Sequence, residues 1–348
     1  MRRIELDLQA DCVEAVLASH HAPARVTGGI VTPRLIRFQL SPAPGVRVRR
    51  LMGLAEELAM ALEAPACRIT RNGGTLAVEL PRPDPAPVSL LSLCRRLARI
   101  PSCAAVLGLD EEGTPLLLAL SSPDVAHVLI AGATGSGKTV LLRSILASLA
   151  IHNHLGEVQF ILIDPKGRGL APLAGLPHLL VPPLGQPGEV AGRLAWLAEE
   201  MLRRDREGIV SPRIVVAIDE LAEVLLTGDH SVAEALTRLT QRGREAGIHV
   251  IAATQKPTSA LLGPLMKANF PVRLVGSVAS ADDARVAAGL PGTQAERLGG
   301  RGDFILVARG QSCRFQAAHV GNEELVALVT RLRSGGRTSR RLLVSGGG

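Results

Sequence analysis

The chain has 348 residues, 47% of them hydrophobic, which gives room for one large or two ordinary globular domains with a substantial core. No run approaches 18 uninterrupted apolar residues, because the best candidate, LLLALSSPDVAHVLIAGA, carries Ser121, Ser122, Pro123, Asp124 and His127; no membrane span is expected. The formal charge of +7, with all but four of the 39 basic residues arginine, suits an anionic polymer partner, and the 2% aromatic content favours a duplex held by its phosphates over stacked single strands.

At the amino terminus, MRRIELDLQADCVEAVL places Glu5, Asp7 and Asp11 where a secretory leader needs apolar residues, so a cytoplasmic location is expected. Cys12, Cys67, Cys94, Cys103 and Cys313 make an odd number with no C-x-x-C spacing and no nearby histidine pair, which predicts reduced, buried thiols rather than a zinc site. IVTPRLIRFQL and TLAVELP read as strands, and VRRLMGLAEELAMALEA has helical spacing. Residues 1–100 are therefore expected to form a small α+β domain, with no visible chemistry. PRPDPAPVS, after Leu80, reads as a loop.

From about Cys103 the pattern becomes strand then helix, repeatedly. HVLIAG, VQFILID, RIVVAID, HVIAAT and VRLVGSV are short β-branched runs separated by helical segments, which predicts an α/β fold with a mostly parallel sheet covered on both faces over residues 101–333. NEELVALVTRLR, Asn322 to Arg333, is the last expected helix, and the glycine- and serine-rich residues 334–348 are expected to be a disordered tail.

Chemistry enters at AGATGSGKT. Gly132, Ala133, Thr134, Gly135, Ser136, Gly137, Lys138 and Thr139 form a P-loop between a strand and a helix, the context such a motif requires. Glycines let the backbone turn its N–H groups toward phosphate, and the new helix aims the positive end of its dipole at the same anion. Lys138 is then expected to reach the β and γ phosphates of ATP, and Thr139 to hold Mg²⁺. Asp219 and Glu220 end the run IVVAI at a strand's carboxyl edge, where ligands of open sheets bind. Asp219 is expected to hold Mg²⁺ through water and Glu220 to orient the attacking water. Thr254 and Gln255 end a third strand and are placed to sense the γ-phosphate. Arg238, Arg242 and Arg244, in RLTQRGREAGIH, offer an arginine that could stabilise charge in a neighbouring subunit's site.

Together these residues resemble the motor of the FtsK/SpoIIIE family of DNA translocases. The likeness runs through RFQLSPAPGVRVRRL, GATGSGKT, FILIDPKG, GLPHLL, IVVAIDELAEVLL, GIHVIAATQKPT, GRGDFIL and the NEELV helix, covering about Val13 to Arg333. It implies a small α domain followed by a RecA-like β domain, assembled as a homo-oligomer, a hexameric ring around double-stranded DNA. It also selects Arg244 as the finger, Thr254 and Gln255 as sensor, and Lys256, Lys267 and Arg285 as DNA-facing residues. Two departures stand out: Ala281 where the family usually has lysine, and a short passage from Arg204 to Ser211. No membrane-spanning amino terminus, linker or winged-helix module is recognised, so the chain is expected to read no direction of its own. The alternatives are a conjugative or phage-type DNA-mobilising ATPase, a protein-export ATPase of the wider family, and a non-hydrolysing DNA-binding scaffold, the last opposed by Glu220 and Arg244.

Overall fold

A computed structural model of the chain describes residues 3–72, 74–82, 87–255 and 269–335. Two compact units are present: one takes in the chain up to Pro87 with the hairpin tip Glu111–Thr114, the other Val88–Asp110 and the chain from Pro115. The division falls before residue 100 because Val88, Leu90, Leu93 and Cys94 are buried in the core of the second unit.

In the first unit, helix α1 (Arg3–Ser19) precedes an antiparallel sheet of β1 (Ala24–Val31), β2 (Leu35–Pro42), β3 (Arg68–Asn72) and β4 (Thr75–Pro81), in the order β1-β2-β4-β3. Alternation along β2 buries Ile36, Phe38 and Leu40 while leaving Arg37 and Gln39 partly exposed. IVTPRLIRFQL is therefore two strands and not one. Thr32 closes the turn between them, its N–H donating to the Leu35 carbonyl at 2.8 Å and its hydroxyl accepting from the Leu35 N–H at 3.0 Å. VRRLMGLAEELAMALEA likewise divides into α2 (Val48–Met52) and α3 (Ala55–Ala61). The break at Gly53 and Leu54 lets Leu51, Leu54 and Leu58 all reach the core beside Val13 and Leu17.

In the second unit, a ten-stranded sheet holds β5 (Val88–Ser89), β6 (Ala104–Asp110), β7 (Pro115–Ala119), β8 (Val128–Ala131), β9 (Val158–Ile163), β10 (Arg213–Asp219), β11 (Ile248–Thr254), β12 (Val272–Val275), β13 (Asp303–Ala308) and β14 (Gln311–His319). Its order is β7-β6-β14-β13-β12-β8-β11-β10-β9, with β5 paired to β14. The five strands from β12 to β9 are mutually parallel and are the five runs expected from sequence, whereas β13, β14, β6 and β7 extend the sheet as antiparallel neighbours.

Alternate residues of these strands enter different cores. Ile130, Leu162, Val215 and Ile251 pack with Leu141, Ile145 and Leu149 of α5 (Lys138–His152), together with Leu90 and Leu93 of α4 (Leu90–Arg96). Leu129, Ile161, Val216 and Val250 pack with Leu194 and Leu197 of α6 (Pro187–Glu207) and Leu236 and Leu239 of α8 (His230–Arg242), beside the short α7 (Leu221–Thr227). Each fully buried leucine or isoleucine contributes about 2 kcal/mol, so burial on both faces explains why the strands read as unbroken apolar runs. Helices α9 (Ala281–Ala288) and α10 (Asn322–Ser334), with short 3-10 turns at Ala171–Leu173 and Ala295–Arg297, complete the described elements. Among the described residues, no helix is long and apolar enough to cross a membrane.

Candidate nucleotide site

Strand β8 ends between β11 and β12, and the chain leaves it through Gly132, whose φ of +155° suits glycine. A Cβ there would stand 2.8 Å from Ser136 Oγ. The loop is fixed from both sides: Ala133 N–H donates to Ser277 O at 2.6 Å, and Gly302 N–H donates to Ser136 O at 3.1 Å. Gly137, at φ +103°, opens α5, and a Cβ on it would meet Gly302 N at 3.2 Å. At both positions the neighbours stand where a side chain would begin, so the loop packs this closely only with glycine there.

Lys138 is 7% exposed and its Nζ donates to Ala133 O at 2.9 Å. Burial pushes its ammonium below the usual lysine range, and the nearby Glu220 and Asp219 carboxylates oppose that shift. Thr139 Oγ1 donates to Asp219 Oδ1 at 2.8 Å. Burial raises the Asp219 carboxyl above its ordinary value; the Thr139 hydrogen bond pulls the other way, and Asp164 and Glu220 add to the rise.

Glu220, at the N-cap of α7, turns its Oε1 back to accept from Thr254 Oγ1 and from the Gln255 N–H, both at 3.1 Å. Gln255 Oε1 in turn accepts from Thr134 Oγ1 at 2.9 Å. Glu220, the end of β11 and the P-loop are thereby joined in one network.

A pocket of about 470 Å³ opens beside this network, lined by Thr134, Lys138, Thr139, Gln255, Arg301 and His319 among others. A magnesium nucleotide fits these residues. Lys138 is a buried cation without a carboxylate hydrogen bond, and Ser136 Oγ is fully buried with no hydrogen-bond partner among the described residues. Thr139 and Asp219 supply the hydroxyl and carboxylate oxygens that a hard cation takes.

Arg244 lies elsewhere. It precedes β11, at the opposite edge of the sheet from the P-loop, and its Nη1 donates to Pro123 O at 2.6 Å. Arg238 is exposed on α8, and Arg242 pairs with Asp205 at 2.5 Å. Arg285 is exposed on α9, 3.4 Å from Asp282. Lys256 and Lys267 lie outside the described residues. All five cysteines are free, with Cys94 and Cys103 buried and the other three partly exposed.

Sequence reasoning assigned no role to Asp164, Arg143 or Gly169. Asp164 directly follows β9 as Asp219 closes β10, so a similar strand-end signal marked it. Arg143 and Gly169 carry no motif, and only their contacts in the folded chain bring them to Asp219.

The FtsK/SpoIIIE family model matches residues 98–209 and 205–259, and the FtsK alpha domain model matches residues 1–82. DNA translocase SftA of Bacillus subtilis strain 168 is 33% identical over 359 residues, covering 94% of this chain and 37% of the relative. DNA translocase FtsK of Mycobacterium tuberculosis strain H37Rv is 33% identical over 357 residues, covering 92% of this chain and 43% of the relative. The chain thus spans less than half the length of these two curated relatives. Among solved structures, the pCW3 conjugation coupling protein TcpA, in its monomer form with ATPgS, has a TM-score of 0.61 at 17% identity, over 94% of this chain and 100% of that one. The cytoplasmic domain of the Thermomonospora curvata type VII secretion ATPase EccC has a TM-score of 0.61 at 24% identity, over 71% of this chain and 34% of that one. These two likenesses show the fold. Family models matched within residues 1–259, and relatives aligned over more than nine-tenths of this chain, make it a member of the FtsK/SpoIIIE family.

Proposed function

We propose that this chain is an ATP-hydrolysing motor that moves double-stranded DNA, working as a homo-oligomer, a hexameric ring. The observation that carries the proposal is the network from Thr134 through Gln255 to Glu220, because it ties the phosphate loop and the acidic motif to the end of β11. The chain runs directly from that end into residues 256–268, which contain Lys256 and Lys267.

Bound Mg²⁺ and ATP supply the phosphoryl bond to be broken and the charge that the site neutralises. Lys138 and the backbone of Gly132–Gly137 would hold the phosphates, and Thr139 with Asp219 would hold Mg²⁺. Glu220 accepts a proton from water at its free oxygen while Thr254 and Gln255 keep the other oxygen in place. Arg244 of a neighbouring subunit adds positive charge. Thr254 and Gln255 sense the γ-phosphate and transmit its loss along the chain to Lys256 and Lys267, which grip DNA phosphates together with Arg285.

The relatives' description as DNA translocases supports duplex DNA as the substrate, as does a net charge of +7 built almost wholly from arginine. Steady-state ATP hydrolysis at low salt, with and without long linear duplex and with Lys138→Ala as the blank, tests the proposal. Duplex is expected to raise the rate more than single strands do, with the stimulation falling steeply as salt rises. Hydrolysis that ignores DNA would remove the DNA part of the proposal and leave an ATPase acting on another polymer.

A further inference from the structure

Arg143 lies four residues beyond Thr139 on α5, yet among the described residues its guanidinium donates to no carboxylate. Its Nε donates to the Gly169 carbonyl in a short bond, Nη2 donates to the Arg168 carbonyl at 3.0 Å, and Nη1 donates to Asn322 Oδ1 at 2.9 Å. Two of these three bonds hold the backbone of the loop that leaves β9. From the inside, Asp164 holds the same loop: its Oδ2 accepts from the Leu170 N–H at 2.9 Å, and its backbone carbonyl accepts from the Gly167 N–H at 3.0 Å.

Gly169 is where this loop touches the site. The space a Cβ would fill at Gly169 is occupied by the Asp219 carboxylate, and Thr139 Cγ2 stands 3.3 Å from that point. Asp219 is therefore confined on two sides, by the Thr139 hydroxyl at Oδ1 and by the Gly169 backbone at Oδ2. A carboxylate's terminal torsion is broad and soft, so contacts such as these decide where its oxygens point. Burial lowers the Arg143 guanidinium below its ordinary value, and the nearby Asp219 and Asp164 carboxylates oppose that shift.

We infer that Arg143 and Gly169 are positioning residues for the metal-holding carboxylate: Arg143 anchors the Arg168–Gly169 backbone, and the bare Gly169 wall sets the orientation of Asp219 beside Thr139. The inference rests on the proposed role of Asp219 toward Mg²⁺. Partners that orient a metal ligand commonly change metal affinity when lost, without touching the metal themselves.

Binding of a fluorescent ATP analogue, first in EDTA and then along a Mg²⁺ titration, separates the possibilities. Arg143→Ala and Gly169→Ala are expected to bind the metal-free analogue as the unaltered chain does, but to need about tenfold more Mg²⁺ for half-maximal tightening. Arg143→Lys, which can still reach one carbonyl, is expected to recover part of that shift. Asp219→Ala supplies the reference. If Asp219→Ala raises the Mg²⁺ requirement while Arg143→Ala and Gly169→Ala leave it unchanged, the inference is overturned and the proposed role of Asp219 stands. If Asp219→Ala itself changes nothing, that role falls and the inference with it. Weakening of metal-free binding by the same factor as metal-bound binding would place the effect in the fold of the loop and also overturn it. Should Gly169→Ala fail to fold, as judged by thermal unfolding, Arg143→Ala and Arg143→Lys decide.

Discussion

Glu220 sits at φ +91° and ψ +74°, a region that non-glycine residues occupy only when surrounding contacts hold them there. Such contacts surround Glu220: its N–H donates to Ala253 O at 3.1 Å, and its carboxylate accepts from Thr254 Oγ1 and the Gln255 N–H. The strain is thus balanced by bonds that also aim one carboxylate oxygen at the end of β11; in the proposed reaction the other takes the proton from water. Glu220→Gln keeps an acceptor oxygen for both donors and removes the proton acceptor. It is expected to bind ATP as the unaltered chain does and to lose hydrolysis by about 10²–10⁴-fold, the usual contribution of a general base. Single-turnover hydrolysis measured beside equilibrium binding checks this. A rate within tenfold of the unaltered chain would show that another group handles the proton.

Elements explain what the sequence could and could not reveal. The five parallel strands were legible because both faces are buried, which makes each a continuous apolar run with polar residues at its end. Asp219, Glu220, Thr254 and Gln255 were legible for the same reason. The antiparallel half was not, since β14 pairs with β6 across some two hundred residues and no local pattern encodes such a pairing. Gly108 marks that junction: at φ +153° it sits in a bulge where a Cβ would collide with the Gln316 carbonyl. The opposite ends of β8 and β11 carry a second feature that sequence left silent. His127 Nδ1 accepts from the Val250 N–H at 2.9 Å, and His249 Nδ1 donates to Ala126 O at 2.8 Å while its Nε2 accepts from Arg213 at 3.1 Å, so both rings are held neutral. Burial, with His249 and Arg244 adding to it, lowers His127 to about 3. Burial, opposed by the Ala126 bond and aided by Arg213 and Arg244, lowers His249 to about 4. Both folded values lie below the unfolded value near 6.5, so below that pH the unfolded chain binds more protons and stability falls as pH drops toward 4. Each histidine is expected to remove about 2 kcal/mol between pH 7 and pH 5. His152 and His178, also lowered by burial, act in the same direction. Thermal midpoints at the two pH values should therefore separate for the native chain and draw closer together in His127→Gln, which keeps an acceptor for Val250. Equal pH dependence in both proteins would remove His127 from this account.

At the scale of the whole molecule, Arg244 and the P-loop cannot serve the same nucleotide within one chain. Arg244 precedes Ile248, where β11 starts, while Thr254, where β11 ends, pairs with Ala131 just ahead of the loop. Seven residues of strand at about 3.3 Å each separate the two edges by roughly 20 Å, several times the reach of an arginine side chain. Its bond to Pro123 O lies at that far edge as well. If Arg244 takes part in hydrolysis, it acts on a site in another copy. Arg244→Ala is expected to retain nucleotide binding and to lose hydrolysis by about 10³-fold, as removal of an arginine finger does. Lys138→Ala is expected to be inactive for the complementary reason, having an intact arginine and a crippled loop. Mixing the two inactive proteins before assembly places intact loops beside intact arginines at about a quarter of subunit contacts in a randomly assembled ring. Hydrolysis should then rise toward that fraction of the unaltered rate when the contacts act independently. If the mixture gives only the mean of its two components while light scattering shows mixed oligomers, Arg244 does not complete a neighbour's site. If no oligomers form, the ring fails with it.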